Sequence, residues 1–162
     1  MFKQIFLMSV ALAAAPVHAQ LAPQPDLGLE AARRLADGAL QACRSQGRAI
    51  AVAVLDRGGD VLVLQRDERV GTHNAEASRR KAYTALSTRR HTLGLARDAQ
   101  AAPDARNLAS MPELLLLGGG IPLLVQGRPA GAIGVAGGGG ASNDHACALA
   151  AVKAVPELDQ IQ

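Results

Sequence analysis

The chain has 162 residues, with 17 basic and 14 acidic side chains, a formal net charge of +3 and 49% hydrophobic residues. This length and composition are typical of one globular domain and argue against a disordered chain. The charge is too small to indicate binding to nucleic acid or to an anionic membrane surface, and the three aromatic residues, Phe2, Phe6 and Tyr83, offer no row of rings for stacking bases. No apolar run beyond the N-terminus is long enough to span a membrane.

The N-terminal segment has the pattern of a signal peptide. Lys3 forms a short positive region, residues 5–15 are apolar, and small residues in 17–19 suit a cleavage site. The sequence therefore predicts a signal peptide over 1–19 and a mature protein that begins at Gln20 in the periplasm or outside the cell. A buried N-terminal helix is the alternative. Removal of 19 residues leaves 143 and lowers the net charge by one unit.

The mature chain alternates helical and strand patterns, and its two hairpin signals favour a mainly antiparallel sheet of about five strands with flanking helices, which is an α+β fold. One domain is predicted over 27–156, between a flexible tail at 20–26 and a C-terminal tail at 157–162. In chain order the predicted elements are a helix over 27–46, strands over 49–55 and 61–65, a loop over 66–74, a helix over 75–91, helical turns over 95–101 and 105–111, a strand over 114–117, strands over 121–125 and 130–136, and a helix over 143–155.

The last predicted helix is apolar on nearly all sides. Such a helix has to be covered by the sheet and also by another helix or subunit. Together with the alanine-rich apolar stripes of the other helices, this pattern predicts a homo-oligomer of closed symmetry.

A glycine run, 137–140, lies between a predicted strand and this helix. It lacks the spacing of a dinucleotide-binding or P-loop motif. Backbone N–H groups at the helix N-terminus could bind an anion such as a carboxylate. The alternative is that the glycines allow tight turns and close backbone approach. No Gly-x-Ser-x-Gly motif indicates a hydrolase.

The histidines of the mature chain are too far apart in sequence to predict a structural zinc site. One histidine is nevertheless enough to bind haem iron, and His73 lies in the loop before a basic helix. Arg79, Arg80 and Lys81 on that helix are candidates for contacts with the haem propionates. The alternative is an exposed loop histidine beside a solvated basic face.

The other two histidines have simpler interpretations. We expect His91 to be a capping charge at a helix C-terminus. We expect His145 to be a partly buried, hydrogen-bonded side chain.

Five blocks of sequence resemble the GlcG/HbpS-type haem-binding family. They occur in the family's order and together span most of residues 27–155. The blocks are Val-Leu-Asp-Arg-Gly-Gly-Asp-Val-Leu at 54–62, Ser-Arg-Arg-Lys-Ala-Tyr-Thr-Ala at 78–85, Gly-Gly-Gly-Ile-Pro-Leu at 118–123, Gly-Ala-Ile-Gly-Val at 131–135 and Asp-His-Ala-Cys-Ala at 144–148.

The resemblance implies a profilin-like or PAS-like domain, often oligomeric, that binds haem in several family members. It favours His73 as the iron ligand and adds Gly119 and Gly120 to the basic-helix residues as candidates for cofactor binding. The resulting prediction is an exported, non-catalytic protein that binds haem or a related small molecule. An enzyme acting on haem or on a small hydroxy acid, and a PAS-like carboxylate-sensing module, are the alternatives.

The two cysteines, Cys43 and Cys147, are candidates for a disulfide. Export would place both thiols in an oxidising compartment. The profilin-like fold implied by the resemblance packs the first and last helices side by side, and a bridge needs Cα atoms within about 7 Å. The alternative is two reduced cysteines that pack as small hydrophobic residues.

Overall fold

A computed structural model of the chain describes residues 23–159, so the predicted signal peptide lies outside the described residues. Within 23–159 no helix is long and apolar enough to cross a membrane. The elements are α1 (Leu29–Arg44), β1 (Ala51–Asp56), β2 (Val61–Arg66), α2 (His73–Thr88), α3 (Thr92–Ala101), α4 (Pro103–Arg106), a 3-10 turn (Asn107–Ser110), β3 (Gly120–Val125), β4 (Arg128–Ala136) and α5 (Ala141–Lys153).

The four strands form one antiparallel sheet in the order β2-β1-β4-β3. Each hairpin closes at a glycine-containing turn, and the second turn places Gln126 and Gly127 at φ of +52° and +73°. The prediction of an antiparallel sheet with flanking helices is therefore confirmed.

The fifth predicted strand, at 114–117, is not formed. Two of its backbone groups bond to side chains of α2, and within residues 23–159 none of its hydrogen bonds joins it to a neighbouring strand. The Leu115 N–H donates to Thr84 Oγ1 at 2.8 Å, and the Leu114 carbonyl accepts from Arg80 Nη2 at 2.7 Å. These hydrogen bonds hold the apolar run, as a loop, against α2.

Helices cover both faces of the sheet. On one face α1 and α5 pack side by side over a core that includes Val52, Val54, Ile133 and Val135. On the other face α2 packs over β1, β4 and β3. The last helix is therefore covered by the sheet and by α1 of the same chain.

The disulfide prediction is confirmed. Cys43 on α1 and Cys147 on α5 are bonded, with their Cα atoms 5.5 Å apart. Both residues are fully buried between the two helices.

Helix α2 lies unusually close to the sheet because two paired glycines face it. Gly120 of β3 and Gly134 of β4 are direct partners in the sheet. A Cβ atom at Gly134 would lie 2.0 Å from the carbonyl oxygen of Ser78, and one at Gly120 would lie 2.2 Å from that of Lys81. Only glycine at both positions lets the backbone of α2 make this contact.

The second helix begins and ends earlier than the sequence indicates. It starts at His73, so this residue is in the first helical turn and not in a loop. It ends at Thr88, where Arg89 adopts a left-handed conformation with φ of +54°. His91, predicted at the C-terminus of this helix, is instead the residue that precedes α3.

Candidate functional site

Lys81, which the sequence places beside a ligand, is buried inside the protein. Its Nζ donates to Asp144 Oδ2 at 2.7 Å and to the Val135 carbonyl at 3.0 Å, and only 1% of its side chain is exposed. The other carboxylate oxygen of Asp144 accepts the Gly138 N–H at 2.7 Å. Lys81 therefore joins α2 to β4, α5 and the glycine loop, and it is not accessible to a ligand in this arrangement.

Gly119 and Gly120 lie beside Lys81, so the structure brings three of the predicted residues together. Gly119 has φ of +123°, and a Cβ there would lie 2.3 Å from the Val135 carbonyl oxygen and 3.3 Å from Lys81 Cδ. The absence of side chains at these positions makes space for the lysine. The geometry of this cluster is that of packing around a buried ion pair.

The glycine run at 137–140 forms a turn, as its simpler interpretation predicts. Three of its residues have φ between +83° and +133°. A Cβ at Gly138 would meet Asp144 Oδ1 at 2.8 Å, and Arg48 Nη1 donates to the Gly138 carbonyl at 2.8 Å. The loop is thus held by α5 and by the segment before β1.

The other predicted site residues lie apart from this cluster. His73 is exposed at the start of α2. Arg79 pairs with Glu76 at 2.7 Å, which lowers the pKa of the Glu76 carboxyl and raises that of the arginine. Arg80 Nη2 donates to the carbonyls of Pro112 and Leu114. The ligand roles of these three residues stay predictions.

A groove of about 560 Å³ lies beside the C-terminal half of α2. The turn between β1 and β2 forms one wall, and Tyr83 of α2 packs against that turn with its ring 3.5 Å from the position of a Cβ at Gly59. The volume falls in the range of roughly 300–1,000 Å³ that is usual for small-molecule sites. The lining residues are Gln24, Arg57, Gly58, Tyr83, Leu86, Ser87, Arg89 and Pro129.

The chemistry of this groove favours an anionic ligand. Its lining residues include two arginines, Arg57 and Arg89, and no acidic residue. Tyr83 supplies a phenol, and Leu86 and Pro129 supply apolar surface. Sequence reasoning missed this site, although the Arg57-Gly58-Gly59 turn and the isolated tyrosine were both visible signals.

A second cluster joins His91, which precedes α3, to His145 of α5. Their ring centroids are 5.3 Å apart, and we refer to them as the histidine pair. Burial lowers the pKa of both rings, and for His145 the neighbouring His91 and Arg97 lower it further. His91 is therefore biased toward its neutral form, and the expectation of a capping charge at the end of α2 is wrong.

The sheet, its helices and the groove define a small α+β domain with a surface cleft of ligand size. The chain belongs to the family described as haem degrading protein HbpS-like, whose model matches residues 27–153. The resemblance seen in the five sequence blocks is thereby confirmed.

Solved structures and one curated protein are similar to this chain. A double mutant of HbpS from Streptomyces reticuli is 37% identical, with a TM-score of 0.78 over 88% of this chain and 98% of that one. A complex of PduOC with haem has a TM-score of 0.74 at 23% identity, over 85% of this chain and 99% of that one, and shows the shared fold. An uncharacterized 15.0 kDa protein of Citrobacter freundii, from the dhaT-dhaS intergenic region, is 30% identical over 68% of this chain and 79% of its own length.

Proposed function

We propose that this protein is exported and binds haem, or a related planar anion, in the groove beside the C-terminal half of α2. The observation that carries the proposal is the groove itself, with two arginines, one tyrosine and apolar surface in its lining. The haem-degrading family to which the chain belongs and the haem complex of PduOC support haem as the ligand.

The residues of the groove fit the chemical groups of haem. The guanidinium groups of Arg57 and Arg89 suit the two propionates, since arginine binds carboxylates through paired hydrogen bonds. The phenol oxygen of Tyr83 is of a type that binds haem iron in other proteins. Leu86 and Pro129 offer apolar contact to the porphyrin. Bound haem would supply a redox-active iron, and the protein would position it.

His73 remains the alternative iron ligand. It lies ten residues before Tyr83 on the same helix, which corresponds to about 15 Å along the helix axis. A haem bound through His73 would therefore occupy the opposite end of α2 from the groove. The two sites can be separated by substitution.

A hemin titration followed by the Soret absorption band tests the proposal. We expect Tyr83→Phe to shift the band and Arg57→Ala to weaken binding. His73→Ala should leave the position of the band and the affinity for hemin unchanged. Arg106→Ala on exposed α4 is the matched control for Arg57→Ala. A titration of the unsubstituted protein without a spectral change would end the haem proposal, and a change confined to His73→Ala would move the site to the start of α2.

A small-carboxylate ligand is the second candidate, because two arginines in one groove suit a carboxylate without iron. Calorimetric titration with a small hydroxy acid in the absence of hemin tests this directly. An enzymatic role on haem would instead appear as loss of the haem band when reductant and oxygen are added. We propose binding without turnover, so the band should persist.

Export has its own test. Material collected from the periplasm or medium of an expressing host should have a mass that corresponds to an N-terminus at Gln20. Periplasmic protein that retains Met1 would contradict the proposal.

We also propose that the protein forms a homo-oligomer. Two large apolar side chains of edge strand β2, Val61 and Leu64, are 45% and 47% exposed. A second copy of the chain would cover them. Light scattering at micromolar concentration should give a multiple of the chain mass, and a monomer mass would contradict the proposal.

A further inference from the structure

The segment that precedes α1, residues 23–27, is attached to the domain at both of its ends. We refer to it as the N-terminal segment. The Pro23 carbonyl accepts from Arg128 Nη1 at 2.9 Å, and the Leu27 N–H donates to the Ala130 carbonyl at 3.1 Å. The side chain of Leu27 is buried in the core beneath α1 and α5. The course of the segment along the start of β4 is therefore fixed.

This segment forms one wall of the proposed binding groove. Gln24, which lies between the two attachments, lines the groove. Pro129, which lies between their two partners on β4, lines it as well. The N-terminal segment is thus a structural part of the groove as well as the connection into α1.

Asp26 joins the N-terminal segment to the opposite wall. Its Oδ1 accepts the Arg57 N–H at 3.1 Å and the Leu27 N–H at 2.9 Å. Hydrogen bonds to a carboxylate are roughly twice as strong as those between neutral groups. One oxygen atom therefore holds the turn between β1 and β2 against the segment.

The turn depends on this contact from outside. Two of its other N–H groups bond within the turn: that of Gly59 to the Asp56 carbonyl at 3.2 Å, and that of Asp60 to Asp56 Oδ1 at 2.9 Å. The Arg57 N–H bonds to Asp26 instead. Loss of this acceptor would free the backbone at the point where the arginine side chain begins.

We propose that Asp26 is a positioning residue, which holds the Arg57 turn and thereby raises the affinity of the groove for a ligand that carries carboxylates. This inference rests on the proposed function of the groove. Among the described residues, Asp26 is exposed and is not one that lines the groove. Its negative charge would weakly repel an anionic ligand, so a favourable effect on binding has to act through Arg57.

The sign of the effect separates positioning from direct electrostatics. If only charge mattered, Asp26→Ala would strengthen the binding of hemin, because it removes a carboxylate near an anionic ligand. Positioning predicts the opposite, a dissociation constant about tenfold higher, which is a usual effect of losing one hydrogen bond to a charged acceptor. Asp26→Asn keeps an oxygen acceptor and should recover most of the affinity.

Glu30→Ala is the matched control. It removes an exposed carboxylate from the first turn of α1, four residues along the chain. It should bind hemin at least as tightly as the unsubstituted protein. Soret titrations of the full chain give the dissociation constants, and melting temperatures measured alongside show whether affinity falls without loss of the fold.

A double variant tests whether Asp26 acts through Arg57. If it does, Arg57→Ala and the variant that combines Arg57→Ala with Asp26→Ala should bind hemin equally. A further fall in affinity in the double variant would show that Asp26 acts by another route and would overturn the proposal.

The hydrogen bond itself can be followed without ligand in the amide ¹H–¹⁵N spectrum. We expect Asp26→Ala to shift the Arg57 amide resonance and to speed its hydrogen exchange, and Glu30→Ala to leave both unchanged. An unchanged Arg57 amide, or tight hemin binding by Asp26→Ala, would overturn the inference while the proposed function stands. Unsubstituted protein that binds no hemin would end the haem proposal and the ligand half of this inference together, and the amide measurement would still decide whether Asp26 holds the turn.

Discussion

Replacing Lys81 with methionine tests whether the buried ion pair holds α2 to the rest of the domain. Methionine has a similar length and fills the same space, but it leaves the Asp144 carboxylate buried without its cationic partner. Removal of one member of a buried pair typically costs about 3–5 kcal/mol. For a domain of this size that corresponds to a fall in melting temperature of roughly 10–20 °C.

Urea and thermal unfolding, followed by circular dichroism with the disulfide intact, measure this effect. Arg79→Met on the same helix is the matched control, because it breaks an exposed ion pair worth about 0.3–0.5 kcal/mol. The double variant Lys81→Met with Asp144→Asn keeps an acceptor for the Gly138 N–H but has no buried charge, so it should lose less stability than the sum of the single variants. If Lys81→Met melts as Arg79→Met does, the assignment of Lys81 to a structural ion pair is refuted.

Three further predictions concern stability. Burial lowers the pKa of both histidines of the pair below the ordinary 6.5, so the unfolded chain binds protons that the folded chain does not, and the free energy of unfolding should fall as the pH drops below about 6.5. A variant with phenylalanine at both positions should lose that part of the pH dependence, and a pH profile identical to that of the unsubstituted protein would contradict this prediction. Gly134→Ala should lower the free energy of unfolding by about 1–3 kcal/mol or more, because its Cβ would meet the Ser78 carbonyl. Gly94→Ala in α3 is the control: its Cβ meets no atom within 4 Å, so it should raise the free energy of unfolding by about 0.5–1 kcal/mol. Equal melting temperatures of the two variants would count against the close helix–sheet contact. Denatured, unreduced protein should show no free thiol, and two titratable thiols would contradict the bridge. The double variant Cys43→Ala with Cys147→Ala should lose up to about 4–5 kcal/mol of its free energy of unfolding, because the bridge joins residues 104 apart.

Local patterns were enough to predict the helices and the hairpins, whereas the disulfide prediction also depended on the fold that the family resemblance implies. The alternation of apolar residues in the strands and the three- and four-residue spacing in α1 are set by which faces are buried, so they are visible in one sequence. The strand at 114–117 was predicted wrongly because a short apolar run does not show whether its backbone bonds to a strand or to side chains of a helix. Thr84 and Arg80, which bond to this run, are 30 or more residues away.

The candidate site depended more on tertiary packing than on local pattern. Lys81 belongs to a basic run whose pattern predicts a solvent-exposed face. It is nevertheless buried, because Asp144, 63 residues later, supplies its ion-pair partner. The two arginines of the groove come from a turn and from the residue that ends α2, and no spacing rule links them. His91 and His145 meet only because α3 and α5 pack together.

The Cys43–Cys147 bridge makes a covalent ring of the segment that contains all four strands and helices α2, α3 and α4. Cleavage of one peptide bond at any point between residues 43 and 147 would yield a nicked molecule in which both pieces remain attached. Every residue that lines the groove, except Gln24, belongs to this ring. A protease that cuts the exposed segment around residues 107–113 would thus leave the groove's walls on a single covalent framework, and the cut would become visible on a gel only after reduction.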